Sequence, residues 1–333
     1  MRVGIYTDLR NPPQWRRPWA DHYERVLERI VEAERLGAGS VWVSEHHGFE
    51  DGYMPQPLTF AAAIAARTKR LRIGTAIMLG PLRPALDVAE QAAIVDIVSG
   101  GRLELGLGTG YRASEYRAFE RDIEGRYPKL EAQVREIRRL WDEGICTPPP
   151  VQNPVPIWLG AIGPRLARVA GRLGEGLLWL ASARLEDYRR GLEEGGHDPA
   201  SARMSGLANL ILADDPEAAW PRIAPHLAYQ RESYNRYASE GDLGPGTLAG
   251  DGAVDPESLR RALPEALPPA LDVVTAEEAI ERLTSWLAPL PVVDVYFWES
   301  IAGMPDDLSE RHVELIATKL APALADVGLS VSR

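Results

Sequence analysis

Eight short apolar runs, each followed by a stretch with helical periodicity, most tightly limit what this 333-residue chain can fold into. The runs read as strands over 3–6, 40–43, 71–79, 102–108, 156–161, 176–180, 207–212 and 292–298. With 45% hydrophobic residues to fill a core and no internal repeat, this alternation predicts one parallel (β/α)8 TIM barrel with insertions over residues 1–333. An open dinucleotide-binding sheet would need Gly-x-Gly-x-x-Gly, and Gly106-Leu107-Gly108-Thr109-Gly110-Tyr111 has the wrong spacing. Residues 241–269, dense in Gly, Pro and acidic side chains, read as an insertion or lid loop.

Local signals place the helix ends. Asp21 with Glu24 predicts a capped start to the first helix and Gly37 its stop, and Thr275 with Glu278 predicts a second capping box. A net charge of -11 argues against nucleic acid or an anionic membrane as a partner. Cys146 is the single cysteine, so no internal disulfide or thiolate metal cluster can form, and no metal site is expected. No stretch reaches the roughly 20 apolar residues of a membrane span, and the start of the chain reads as a strand rather than a signal peptide. A cytoplasmic location is expected.

In a parallel barrel, chemistry collects where strands end at their C-terminal rim. Tyr6 and Asp8 fall there after the first strand, Glu45-His46-His47 after the second, and Ala76-Ile77-Met78 in the third. Gly108-Thr109-Gly110 follows the fourth strand and Gly160-Ala161-Ile162-Gly163 the fifth, with Trp179 and Trp298 at the ends of the sixth and eighth. Adjacent residues point to opposite faces of a strand, so one of His46 and His47 is expected to face the cavity and the other to be structural. Gly160 to Gly163 precede a helix whose free N–H groups favour an anion. Tyr6, Trp179 and Trp298 are placed in a substrate pocket, Trp42 and Trp158 in the core. Arg112 is expected in solvent at a helix start, and His22, His197, His226 and His312 at the surface.

Taken in order, Val43-Ser44-Glu45-His46-His47, Leu71-Arg72-Ile73-Gly74-Thr75-Ala76, Ser99-Gly100-Gly101-Arg102-Leu103-Glu104-Leu105-Gly106-Leu107-Gly108-Thr109-Gly110-Tyr111 and Pro156-Ile157-Trp158-Leu159-Gly160 resemble the bacterial luciferase-like superfamily of flavin- and deazaflavin-dependent enzymes. The resemblance implies a flavin at the barrel mouth, backed by a non-proline cis peptide that falls here at Ala76-Ile77. It implies a reactive-centre histidine at His46, flanked by Glu45 and His47, and phosphate contacts at Thr109-Gly110 and Gly160 to Gly163, with Gly108 ahead of the first allowing close backbone approach to the cofactor. It further implies a flavin-dependent monooxygenase that uses reduced FMN (FMNH2) and O2 on a small organic substrate, with a flavin reductase as partner and a homodimer as assembly. The Glu-His-His triplet favours FMN, whereas Thr109 stands where luciferase carries Arg and resembles users of coenzyme F420. An F420-dependent oxidoreductase and a non-catalytic flavin-binding barrel are the alternatives.

Overall fold

The computed structural model describes residues 1–238, 259 and 271–325, so the expected insertion over 241–269 lies, residue 259 apart, outside the described residues. Eight parallel strands close on themselves: β1 (Arg2–Thr7), β2 (Ser40–Val43), β3 (Arg72–Thr75), β5 (Leu103–Gly108), β6 (Ile157–Gly160), β7 (Gly176–Leu178), β8 (Met204–Leu207) and β11 (Val292–Trp298). The β3–β5 pairing completes the ring, with Ile73 opposite Leu103. Between these two the third strand breaks after Thr75 and resumes as the two-residue β4 (Met78–Leu79). The barrel is therefore as expected, while the apolar run 71–79 is divided.

The seventh strand needs a correction. The expected run 207–212 ends the barrel strand β8 at Leu207, and Leu210–Leu212 forms β9, which leaves the ring to pair with β10 (Asp272–Val274). The exit is marked at Asn209, whose carbonyl already accepts the Asp272 N–H at 3.2 Å while its side chain accepts the Trp298 indole N–H at 3.1 Å.

Helices wrap the ring: α1 (Trp19–Leu36), α2 (Pro57–Arg67), α3 (Ala85–Ser99), α4 (Ala113–Ala118), α5 (Arg126–Asp142), α6 (Pro164–Arg172) and α7 (Ser182–Glu194). After β9 come α8 (Pro216–Ala238) and, past the undescribed segment, α9 (Ala276–Leu287) and α10 (Asp306–Leu315). Gly37 ends α1 in the left-handed conformation at φ 113°, as a glycine stop requires. The predicted cap at Asp21 fails, because α1 already begins at Trp19 and Asp21 lies within its first turn. At α9 the capping box forms in full, the Thr275 hydroxyl accepting the Glu278 N–H and the Glu278 carboxylate accepting the Thr275 N–H.

Aromatic rings and two carboxylates fill the barrel where aliphatic layers are usual. Trp42 and Trp158 meet edge to face at 6.2 Å, each lying over a glycine, Gly74 and Gly176, where a Cβ would come within 2.1 and 2.2 Å of the indole. Beneath them Glu104 accepts from Trp158 Nε1 at 2.7 Å, from Arg72 at 2.8 Å and from Arg2 at 3.0 Å, while Asp294 accepts from Ser40 and Arg2. The N-terminal end of the barrel is thus plugged by paired charge, which leaves the C-terminal rim for ligands. Among the described residues no helix is long and apolar enough to cross a membrane.

Candidate active site

His46 and His47 lie beyond β2, where the chain turns out over the rim and the strand alternation has ended. They nonetheless part company. His46 points its ring into an aromatic ring-set, with centroids of Tyr53 at 4.8 Å, Phe49 at 5.0 Å, Tyr111 at 5.5 Å and Tyr234 at 6.4 Å. His47 turns the other way, its ring 4.7 Å from Phe119.

Each imidazole has its own carboxylate. Glu115 on α4 accepts from His46 Nδ1 at 2.8 Å and from the His47 backbone N–H at 3.0 Å, with Arg112 at 3.2 Å. Burial opposes charge on Glu115, yet the His46 bond and charge, the His47 N–H and Arg112 outweigh it and hold its carboxyl below the usual range. An ionised acceptor at Nδ1 favours a proton on that nitrogen, so in the neutral ring the lone pair lies on Nε2. Among the described residues Nε2 makes no hydrogen bond, which suits it to receive or hold a proton at the mouth.

Glu45 serves a different end. It accepts from His47 Nε2 at 2.7 Å and from the Leu79 N–H at 2.6 Å and pairs with Arg83 at 2.7 Å, a closed buried unit behind the mouth. Its bond to Leu79 ties the resumed strand β4 to the end of β2. Arg112, expected in solvent, is instead buried, donating to the His47 carbonyl at 2.7 Å. The loop around the paired histidines supplies acceptors that water would otherwise provide.

The peptide between Ala76 and Ile77 is cis, as the resemblance implied. Both residues are half-buried, whereas Ile73 to Thr75 and Met78 to Gly80 are buried, so the pair forms a shelf at the rim. Ile77 is seated by two glycines: a Cβ on Gly108 would lie 2.5 Å from its Cδ1, and one on Gly160 2.6 Å from its Cγ2. Thr109 and Ala161 are buried and Gly110 half-buried, whereas Ile162 is 65% exposed beside Gly163 at the start of α6. The shelf, two glycine strand ends and an open helix N-terminus lie on one rim, an arrangement that fits a flat ring system with an anionic tail.

Tyr6 and Trp298 meet edge to face at 4.7 Å, buried at the ends of β1 and β11, and Trp179 is half-buried after β7. His312 and His226 are buried rather than superficial. The Leu212 N–H donates to His312 Nδ1, so its Nε2 donates to the Trp298 carbonyl; burial pushes its pKa down to about 4 and keeps it neutral. It joins α10 to β9 and β11.

Sequence reasoning missed a second set of residues. On α8, His226, Tyr229, Gln230, Ser233, Tyr234 and Tyr237 recur at helical spacing and face the rim. Tyr237 lies 3.9 Å from Phe49, Tyr234 bonds Tyr53 through their hydroxyls at 2.8 Å, and Tyr229 donates to Asp51 at 3.1 Å. Arg10 sits within this group. The spacing was visible in the sequence, but its partners come from loops more than 170 residues away. No cluster of His, Cys, Asp and Glu able to hold a metal ion occurs among the described residues.

The model of the luciferase-like monooxygenase family matches residues 1–287. An F420-dependent glucose-6-phosphate dehydrogenase of Amycolatopsis mediterranei is 33% identical over 186 residues, 49% of this chain and 55% of that protein, so this chain spans about half the length of that relative. The oxygenase component of a flavin-dependent trigonelline monooxygenase from Acinetobacter baylyi is 24% identical over 327 residues, 91% of this chain and 90% of that one. Among solved structures, monooxygenase RslO1 from Streptomyces bottropensis superposes with a TM-score of 0.76 at 25% identity, covering 97% of this chain and 99% of that one.

Proposed function

The chain belongs to the luciferase-like monooxygenase family of oxidoreductases, and on that premise we propose that it is a flavin-dependent monooxygenase using reduced FMN and O2 on a small organic substrate. The observation that carries this reading is His46, with Nδ1 fixed by Glu115 and Nε2 open among aromatic rings on the same rim as the Ala76-Ile77 shelf. The flavin, when bound, supplies the electrons that activate oxygen. Ala76 and Ile77 would back its ring system, while Gly108, Thr109, Gly110 and Gly160 to Gly163 would hold its chain and phosphate. His46 then holds or moves a proton at Nε2, Glu115 orients it, and Glu45 with His47 keeps the shelf and the loop in register. Tyr6, Trp179 and Trp298 line the substrate side, and the surrounding rings exclude water. The near full-length match to an oxygenase component supports this reading and a separate reductase as flavin donor.

Hydride transfer with coenzyme F420 is the second reading, favoured by the 33% identical dehydrogenase and by Thr109 in place of an arginine. Mixing the protein with reduced FMN in aerated buffer should give substrate-dependent oxygen uptake; F420 reduction without oxygen uptake would establish the second reading instead. A second copy of the chain is the expected partner. The outer face of α3 exposes Leu86, Ile94, Ile97 and Val98, each between 37% and 47% accessible, an apolar surface that water disfavours. Light scattering should give a dimer mass, and Ile94→Glu with Ile97→Glu a monomer.

A further inference from the structure

We propose that Arg10 is a specificity-determining residue that binds the carboxylate of a substrate about one aromatic ring long, whose other end lies at His46. The inference rests on the reading of His46 as the reaction centre. Arg10 follows β1, and its side chain is completely buried. Nε donates to Asp51 at 2.7 Å and Nη2 to the Ser233 hydroxyl, while Nη1 has no partner among the described residues. A buried charged donor left open forfeits its hydration without a replacement, a cost that an incoming acceptor removes.

The position of this cation relative to His46 sets the size of the ligand. Phe49, Tyr53, Tyr229 and Tyr234 surround the guanidinium with ring centroids 5.3 to 5.7 Å from its carbon. Three of these, Phe49, Tyr53 and Tyr234, are also neighbours of the His46 ring. Cation and imidazole therefore share the same rings, and with the guanidinium carbon 5.3 Å and the His46 ring 4.8 Å from the centroid of Tyr53, no more than about 10 Å separates them, a span within the reach of a carboxylate carried on one aromatic ring. A flat acid of that length can take its place by turning Tyr53 and Tyr234, which hold each other by a single hydroxyl bond.

The remaining open groups select the charge of the ligand. Gln230 Nε2, one turn before Ser233 on α8, is a second buried donor without a partner. Asp8 Oδ2 is also without one, and burial pushes that carboxyl up to about 7, so its protonated form can donate near neutrality. Asp51 Oδ1 is an open acceptor. Two carboxyl groups beside the guanidinium disfavour a dianion such as phosphate, whereas a planar monoanion matches the fork of Arg10.

Benzoate, benzamide and inorganic phosphate, each titrated into the full chain without flavin and followed by calorimetry, test the assignment. Benzoate is expected to bind at least about 10-fold more tightly than benzamide, and phosphate, which the cofactor loop at Gly160 to Gly163 can take, should not compete with it, since a buried charged donor left open discriminates strongly between ligands with and without its partner. Arg10→Met should erase the preference, and its FMN affinity, measured separately, reports that the variant is folded. Should Arg10→Met not fold, Arg10→Lys, which keeps the charge but loses the fork, should weaken benzoate several-fold. Equal binding of benzoate and benzamide by the unaltered chain, an acid preference that survives in folded Arg10→Met, or a benzoate affinity unchanged in folded Arg10→Lys overturns the assignment. A benzoate preference in a chain that binds no flavin would uphold Arg10 and reject the flavin reading instead.

Discussion

Single side chains divide the two histidines, which sequence alone treats alike. His46 and His47 are neighbours with equal claims until Glu115 and Glu45 are seen to hold different nitrogens of the two rings. Glu115 lies 69 residues from His46 and was not legible as its partner, because nothing in the spacing of α4 marks which acid turns inward. Glu115→Gln should keep a weaker bond to Nδ1 but lose the charge, lowering kcat about 10- to 100-fold with FMN affinity unchanged. A matching shift in flavin affinity would place Glu115 in the cofactor site instead. Asp8 carries a pH signature. Its pKa rises from 3.8 unfolded to about 7 folded because burial penalises the anion. The folded chain thus binds more protons than the unfolded one in that window, so stability falls as pH climbs from about 4 to 7. Asp8→Asn should remove that fall, and urea melts of both proteins at pH 5 and pH 8 check it: the stability of the variant relative to the unaltered protein should be higher at pH 8 than at pH 5.

At the level of elements, the strands and their order were legible because buried parallel strands are continuous apolar runs, and α9 because its cap is written in two residues, Thr275 and Glu278. The exceptions have local causes. The run 71–79 is one apolar stretch in sequence but two strands around the shelf, and the run 207–212 spans the exit from the barrel, since apolarity does not tell a ring strand from the short β9–β10 pair. Gly108 and Gly160 were read as turns or phosphate contacts; their packing shows a further reason for glycine, the seat of Ile77. Gly160→Ala puts a methyl within 2.6 Å of Ile77 and should push the shelf into the mouth, weakening FMN about 10-fold or more while secondary structure persists. Fluorescence titration of FMN beside a circular dichroism spectrum measures both, and unchanged affinity would remove the shelf from the cofactor site.

The whole molecule separates stability from chemistry along the barrel axis. Glu104 and Asp294 gather Arg2, Arg72, Trp158 and Ser40 at the N-terminal end, far along the strands from His46. Glu104→Ala leaves the buried Trp158 indole N–H without its acceptor and takes one partner from Arg2, which keeps Asp294, and one from Arg72, which keeps Gln152 and two carbonyls, and should cost about 1 to 3 kcal/mol of unfolding free energy. Denaturant melts should register that loss, whereas FMN affinity below the transition should stay within about twofold. The eight-membered ring is itself a consequence of length and alternation, both plain in the sequence, but what stands over its rim is not, since α8 meets Asp51, Tyr53 and Phe49 only through the closed fold. That helix belongs to none of the ring's strand–helix units. A lineage could therefore rewrite its inward side chains, and with them the diet of the enzyme, without disturbing a single residue that grips the cofactor, so chemistry and appetite can drift at separate evolutionary rates.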